Sequence, residues 1–374
     1  MSKKILLLTL ETFCATGGIQ KMGRILAYGL QQLGAKHKWE AELYSLCDRK
    51  TDLMPEYLAE EKFKAFRKNR LKFMWESIKA GKKADLVILS HINLSVLGWA
   101  IYLLNPNCQI WLIAHGIEVW RPLRLWKKSV WKICSKVICV SRYTQEKVIA
   151  LHQVAPEQCT VVNNAVDPFI TFPEHFHKPG YLLERYELNT DQKIVFTLAR
   201  ISVTEQYKGY DQVIKALGNL GQNNIQYVLA GPYDEAEKLR LTQLASQYGL
   251  GNNFILPGYI KAEELADHFL LADLFVLPSK KEGFGIVFIE AMAFGLPIIC
   301  GNADGSVDAV KNQEMGTAID PDDIGALEQA ILRNLGRTLS IGARKSIQQQ
   351  CLKYFSQQHY LQTLERLIKN EACN

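Results

Sequence analysis

Two glutamates, Glu282 and Glu290, stand eight residues apart around a glycine turn in the run Lys280 Lys281 Glu282 Gly283 Phe284 Gly285 Ile286 Val287 Phe288 Ile289 Glu290. An apolar β-type segment, Asp273–Pro278, precedes the run and a helical pattern follows it. Gly283 and Gly285 therefore occupy a strand-to-helix turn, where a ligand can approach the backbone closely and free N–H groups point outward. Such a turn is a place to hold a phosphate, or only a tight link between strand and helix. The two carboxylates accept hydrogen bonds from hydroxyls. Phosphates and hydroxyls together point to a nucleotide sugar.

Other residues carry compatible chemistry. Arg200 closes a strand-like segment, and Lys208, followed by Gly209, stands eight residues later at a helix start. A forked guanidinium and a point-charge ammonium could together neutralise a diphosphate without a metal. Further strand-end turns are Leu229–Pro232, with Gly231, and Leu256–Ile260, with Gly258 and Tyr259. In the first half Gly17 and Gly18 follow the first strand. They do not form the dinucleotide fingerprint, and no acidic residue ends the next strand, although Asp48 lies close. His115 heads the segment His115 Gly116 Ile117 Glu118 at another strand end.

Short apolar runs alternate with helical periodicity from end to end, which predicts parallel sheets wound with helices, an α/β fold. In the first half the strands are expected near 4–10, 40–46, 85–90, 109–114, 136–140 and 160–162. The irregular stretch 163–191, with Pro168, Pro173, Pro179 and Gly180, reads as a linker. The alternation then restarts, with strands expected near 193–198, 225–230, 253–256, 273–277, 297–300 and 316–319. A chain of 374 residues exceeds one ordinary core. The doubling predicts two Rossmann-like domains, 1–170 and 171–354, with a final amphipathic helix at about 355–374. Ligands of such sheets bind outside the carboxyl ends of the strands. Two such units facing each other are expected to define a central cleft.

The formal charge of +6 conceals an asymmetry. Residues 1–170 hold 25 Lys and Arg against 14 Asp and Glu, whereas the remainder holds 19 against 24. The basic half should face something anionic. Its charge concentrates in 62–83, interleaved with Phe63, Phe66, Phe73 and Trp75, and in 120–136, interleaved with Trp120, Trp126 and Trp131. Cations and tryptophans at near-helical spacing suit an anionic membrane surface, the alternative being an ordinary solvated helix face with its aromatics turned to the core. No nucleic-acid module accompanies them. The nine cysteines form no C-x-x-C pair or zinc-type array. Met1 Ser2 Lys3 Lys4 leads straight into the strand-like Ile5–Leu10, so no secretory signal is expected. The expected location is cytoplasmic, with the basic half offered to the inner face of the cytoplasmic membrane.

The run 280–297 resembles the E-x7-E signature of retaining glycosyltransferases of the GT-B architecture, in particular glycosyltransferase family 4. The resemblance extends to the strand-end Arg200 with Lys208–Gly209, the Gly17–Gly18 loop, the His115–Gly116 pair, and the landmarks Ser141 and Asn163–Asp167, where Asn164 and Ala165 replace Asn-Gly. It implies that Arg200 and Lys208 bind the donor diphosphate, and that Glu282 orients the donor sugar. Backbone at Gly258, Tyr259 and Ile260, beside the Gly231 turn, would read the base, and Glu290 would take the ribose hydroxyls. The amides of Gly283, Phe284, Gly285 and Ile286 and the Gly17–Gly18 loop would lie at the phosphates, and His115 would contact the sugar. Glu118 would shape the acceptor side. The family often has an acid where Gln20 stands.

The resemblance implies a retaining hexosyltransferase, free of metal and cofactor, that uses a nucleoside-diphosphate sugar. The acceptor would be a hydroxyl of a glycan or lipid-linked chain in cell-surface polysaccharide synthesis. No acceptor-binding residue, donor base or oligomeric state is legible. A non-catalytic sugar-nucleotide-binding subunit, or a phosphorylase or epimerase on the same scaffold, would share the motifs. A nicotinamide-dependent oxidoreductase would need the fingerprint that is missing.

Overall fold

The computed structural model describes residues 3–337 and 339–370, and the chain divides into two compact units. The first comprises Met1–Phe169 with Phe355–Asn374, and the second Ile170–Tyr354.

The first unit is one parallel sheet of β1 (Lys4–Thr9), β2 (Glu40–Ser45), β3 (Phe63–Ala65), β4 (Leu86–Leu89), β5 (Gln109–Ala114), β6 (Cys134–Cys139) and β7 (Cys159–Val161). Its strand order is β3-β2-β1-β4-β5-β6-β7. The second unit is a parallel sheet of β8 (Lys193–Leu198), β9 (Ile225–Ala230), β10 (Phe254–Gly258), β11 (Leu274–Leu277), β12 (Ile298–Gly301) and β13 (Thr317–Ile319), in the order β10-β9-β8-β11-β12-β13. Strands covered on both faces read as continuous apolar runs rather than alternations. Leu86–Leu89, Ile225–Ala230 and Leu274–Leu277 are accordingly buried at every residue.

Each sheet has its own core. Trp111 and Leu112 of β5 are fully buried in the first unit, as are Tyr227 and Leu229 of β9 in the second. Each buried large apolar side chain contributes about 1.5–3 kcal/mol. The helix Gln357–Asn370 packs on the helix Gly18–His37, so the expected C-terminal helix belongs to the first unit. Its last part, 371–374, lies outside the described residues.

The order reverses between β1 and β4 in one sheet and between β8 and β11 in the other, and crevices open at such points. The segments that follow β8 and β11 carry Arg200 and the 280–285 run; those that follow β1 and β4 carry the Gly17 loop and His91.

The basic stretch 62–83 divides differently from its helical expectation. Its start pairs with β2 as β3, Leu43 opposite Phe63, and only Arg70–Gly81 is helical. Phe63, Phe66 and Phe73 turn into the core while Trp75 stays 71% exposed. In 120–136, Trp131 is buried and Trp126 exposed, with β6 beginning at Cys134.

Candidate active site

The turn after β11 returns beside the 3₁₀ segment Val203–Lys208, because the Lys280 N–H donates to the Tyr207 carbonyl at 2.9 Å. This brings the Lys208 ammonium onto Glu282 Oε1, with only 15% and 16% of the two side chains exposed. Burial works most strongly on the ammonium and against it, but the charge and hydrogen bond of Glu282, with Tyr207 and Glu205 nearby, together outweigh it, and the Lys208 pKa rises. The ammoniums of Lys208 and Lys281 lie 5.6 and 5.4 Å from the Tyr207 ring centroid. That is cation–π distance. Arg200 makes a separate pair, Nη1 to Glu205 Oε1 at 2.9 Å, with its side chain 61% exposed. Tyr207 lies within the electrostatic reach of Lys208, Glu205, Glu282 and Arg200. Of the three cations gathered here, Lys208 and Arg200 are each already held by a carboxylate.

A second carboxylate holds Glu282 in place. Asp304, almost fully buried, accepts from the Glu282 N–H at 2.6 Å and the Ser306 N–H at 2.9 Å. The Gly305 N–H donates to the Glu282 carbonyl at 2.8 Å. Burial raises the Asp304 pKa from 3.8 to about 6.

Gly285 has φ +83° and precedes the helix Ile286–Ala293, whose start no side chain caps. A Cβ there would lie 2.3 Å from the Phe288 ring. Phe284 and Ile286 are buried and anchor the turn, while Gly283 stays half-buried. Glu290, on this helix, is 3% exposed. At the neighbouring strand ends the Gly231 N–H donates to the Gly258 carbonyl at 2.9 Å, and a Cβ on Gly231 would sit 1.7 Å from the Ala199 oxygen. The loops after β8, β9 and β10 are thereby tied together, with Ile260 buried and Tyr259 exposed.

In the first unit His115 follows β5, and its Nε2 lies 2.9 Å from the Ser90 carbonyl. A carbonyl only accepts, so Nε2 carries the proton and Nδ1 keeps a lone pair. Burial lowers the His115 pKa to about 4, which leaves the ring a neutral acceptor at pH 7. Glu118 Oε1 accepts from the His115 and Gly116 N–H groups at 2.6 and 3.1 Å, so this carboxylate shapes the turn itself. Asp48, fully buried, accepts from the N–H groups of Thr12, Phe13 and Cys14 at 3.0, 3.2 and 2.9 Å. Its carboxylate is a clamp for the loop leading to Gly17 and Gly18. Among the described residues it belongs to the one group with metal-ligand spacing, Cys14, Asp48 and Asp52. The Gly17–Gly18 turn starts the helix Gly18–His37 with no side-chain cap, and a Cβ on Gly18 would meet nothing within 4 Å.

Tyr207, Glu205 and Asp304 went unread in the sequence. Asp304 follows β12 in the turn-like Asn302 Ala303 Asp304 Gly305. Its signal was its place at a strand end, not its spacing from Glu282.

The chain matches the family model described as glycosyl transferases group 1 over residues 182–340, and that described as glycosyltransferase family 4 over 17–168. It is 31% identical over 239 residues to the GDP-mannose-dependent alpha-(1-6)-phosphatidylinositol monomannoside mannosyltransferase of Mycolicibacterium smegmatis, covering 58% of each chain. It is 27% identical over 237 residues to the D-inositol 3-phosphate glycosyltransferase of the same organism, covering 63% of this chain and 53% of that protein. The matches span about half the length of these curated relatives. Among solved structures, Anabaena HepE in complex with UDP and glucose superposes with a TM-score of 0.79 at 18% identity, over 98% of this chain and all of that one. The fold is therefore α/β of the GT-B type.

Proposed function

The chain belongs to the group 1 glycosyl transferases, glycosyltransferase family 4, and on that footing we propose that it moves a hexose-type sugar from a nucleoside diphosphate to a hydroxyl of a glycan or lipid-linked acceptor, with retention. The observation that carries the donor assignment is the Lys208–Glu282 pair at the carboxyl end of β11, beside the uncapped helix start at Gly285. Negative charge grows on the departing diphosphate. Lys208, Arg200 and the N–H groups at Gly285 and Ile286 supply positive potential before the reaction begins. Glu282 keeps acceptor capacity beyond its one bond to Lys208 and orients the sugar through its hydroxyls. Glu290 takes the ribose hydroxyls, and backbone from Gly258 to Ile260 meets the base. In the first unit, His115 Nδ1 accepts from a sugar hydroxyl and the Gly17–Gly18 turn offers N–H groups to phosphate.

In the bond-making step the anomeric C–O bond to the diphosphate breaks as the acceptor oxygen bonds the same face. The acceptor proton passes to the leaving phosphate oxygen. Arg and Lys supply the charge compensation, so no metal is assigned a part. The named relatives use GDP-mannose in one case and bind UDP in another, which leaves the base to experiment. The test is release of nucleoside diphosphate from a panel of UDP-, GDP-, ADP- and dTDP-sugars with glycan and polyprenyl-phosphate-linked acceptors, with and without chelator. Proton NMR of the new anomeric centre accompanies it. Chelator-resistant transfer with retained configuration is expected. Inverted product, or free sugar phosphate formed without an acceptor, would contradict the proposal.

A further inference from the structure

The outward side of a surface helix is ordinarily polar. On the first unit this pattern fails in one place. The helix Ser95–Leu104 packs against the helix Arg70–Gly81 and the short helix Leu125–Lys128. Among the described residues, eight of the seventeen exposed large apolar side chains lie on these three elements. Leu71 is 76% exposed, Trp75 71%, Leu103 70% and Leu125 86%, with Val96 and Trp126 also exposed. Leu71 and Trp75 stand one helical turn apart, and Val96 and Leu103 two, so each pair shares a face.

Charge is distributed to match. The helix Ser95–Leu104 contains no charged residue. Its neighbours carry Arg70, Lys72 and Lys79 on one helix and Lys127 and Lys128 on the other, with Arg124 just ahead. The one carboxylate on the three helices, Glu76, is half-buried with Lys64 3.9 Å away. An uncharged apolar band flanked by cations is complementary to a bilayer, with acyl boundary opposite the band and anionic headgroups opposite the ammoniums.

We propose that this three-helix face docks on an anionic lipid bilayer, with Leu71, Trp75, Leu103 and Leu125 entering the headgroup–acyl boundary. Among the described residues no helix is long and apolar enough to cross a membrane, so docking is peripheral. The proposal goes beyond the donor assignment and does not rest on it. Two buried aromatics of the basic stretches, Phe73 and Trp131, take no part.

The test is co-flotation of the full chain with phosphatidylcholine vesicles, with and without phosphatidylglycerol, at low and high salt and without nucleotide sugar. The wild type is expected to partition at least about tenfold better onto the anionic vesicles, and to lose that preference in high salt. Leu71→Ser with Leu103→Ser should reduce partition by about tenfold, with unchanged thermal midpoint because both side chains are largely exposed. Brominated acyl chains should quench tryptophan emission less in Trp75→Phe. Absence of anionic preference, or partition and quenching untouched by these variants, overturns the proposal. Self-association abolished by the same variants without vesicle binding also overturns it, assigning the face to a second copy. Nucleotide-sugar binding measured without vesicles fails or succeeds separately.

Discussion

Asp304 holds Glu282 from beneath: its buried carboxylate takes the Glu282 N–H at 2.6 Å, while the next residue returns an N–H to the Glu282 carbonyl. The side chain that pairs with Lys208 is thus presented by a loop whose backbone is bonded on both sides. Preorganised charge of this kind needs little rearrangement when the leaving group develops charge.

That clasp has a pH signature. Asp304 binds its proton more tightly folded than unfolded, with the pKa raised from 3.8 to about 6 by burial and by the neighbouring Glu282 charge. Folding stability from this group is therefore fully present below the unfolded value and is lost as pH rises through the folded one, at about 1.4 kcal/mol per pH unit at most. Activity should move oppositely, because protonation removes charge from the acceptor of the Glu282 N–H. Asp304→Asn is expected to flatten the thermal midpoint between pH 4 and about 6 and to lower kcat more than it raises KM. Melting curves and rate profiles across that range check both.

Removing one partner of the Lys208–Glu282 pair leaves a largely buried charge alone. Lys208→Met and Glu282→Gln should each cost about 1–3 kcal/mol in denaturant unfolding. The double variant should cost less than the sum of the two. Turnover should fall by about a hundredfold or more in either single variant. Additive losses in the cycle would contradict a direct coupling.

His115 should be neutral across the physiological range. Its pKa is lowered to about 4, so its contribution to stability is present above the unfolded value of 6.5 and is lost as pH falls from there through the folded one. Nitrogen-15 NMR should show a protonated Nε2 and a bare Nδ1 at pH 6. His115→Ala should weaken donor sugar binding by about tenfold, the worth of one hydrogen bond. A charged ring at pH 6 would contradict the assignment.

Two glycines separate folding from function. Gly231→Ala drives a Cβ to within 1.7 Å of the Ala199 oxygen and should cost about 2–4 kcal/mol. Gly18→Ala meets nothing within 4 Å and should leave stability within about 0.5 kcal/mol. Any loss of donor affinity in Gly18→Ala then reports on the turn's role at phosphate. Chemical denaturation beside donor titration distinguishes the two.

Much of the fold was legible because parallel strands covered on both faces are continuous apolar runs. Gln109–Ala114, Lys193–Leu198 and Ile225–Ala230 were read with the bounds they have. Phe63–Ala65 was not, since three residues inside a basic run become a strand only by pairing with β2, a distant partner. The same non-locality hides the site's connections. Lys208 and Glu282 are 74 residues apart and Asp304 lies another 22 beyond, so no spacing reveals that the three form one unit. Composition also cannot separate Trp131, in the core, from Trp126, at the surface. Their difference is one of helical phase against a sheet whose position only the folded chain defines.

The central claim is that Lys208, seated against Glu282, holds the diphosphate of a nucleotide sugar whose ribose hydroxyls Glu290 takes. Calorimetric titration of UDP-, GDP-, ADP- and dTDP-sugars into wild type, Lys208→Met and Glu290→Ala tests it most directly. Wild type should bind one base class selectively, with affinity reduced at least about tenfold in each variant, the worth of one charged hydrogen bond. Selective binding that survives both substitutions unchanged would contradict the account and place the donor elsewhere.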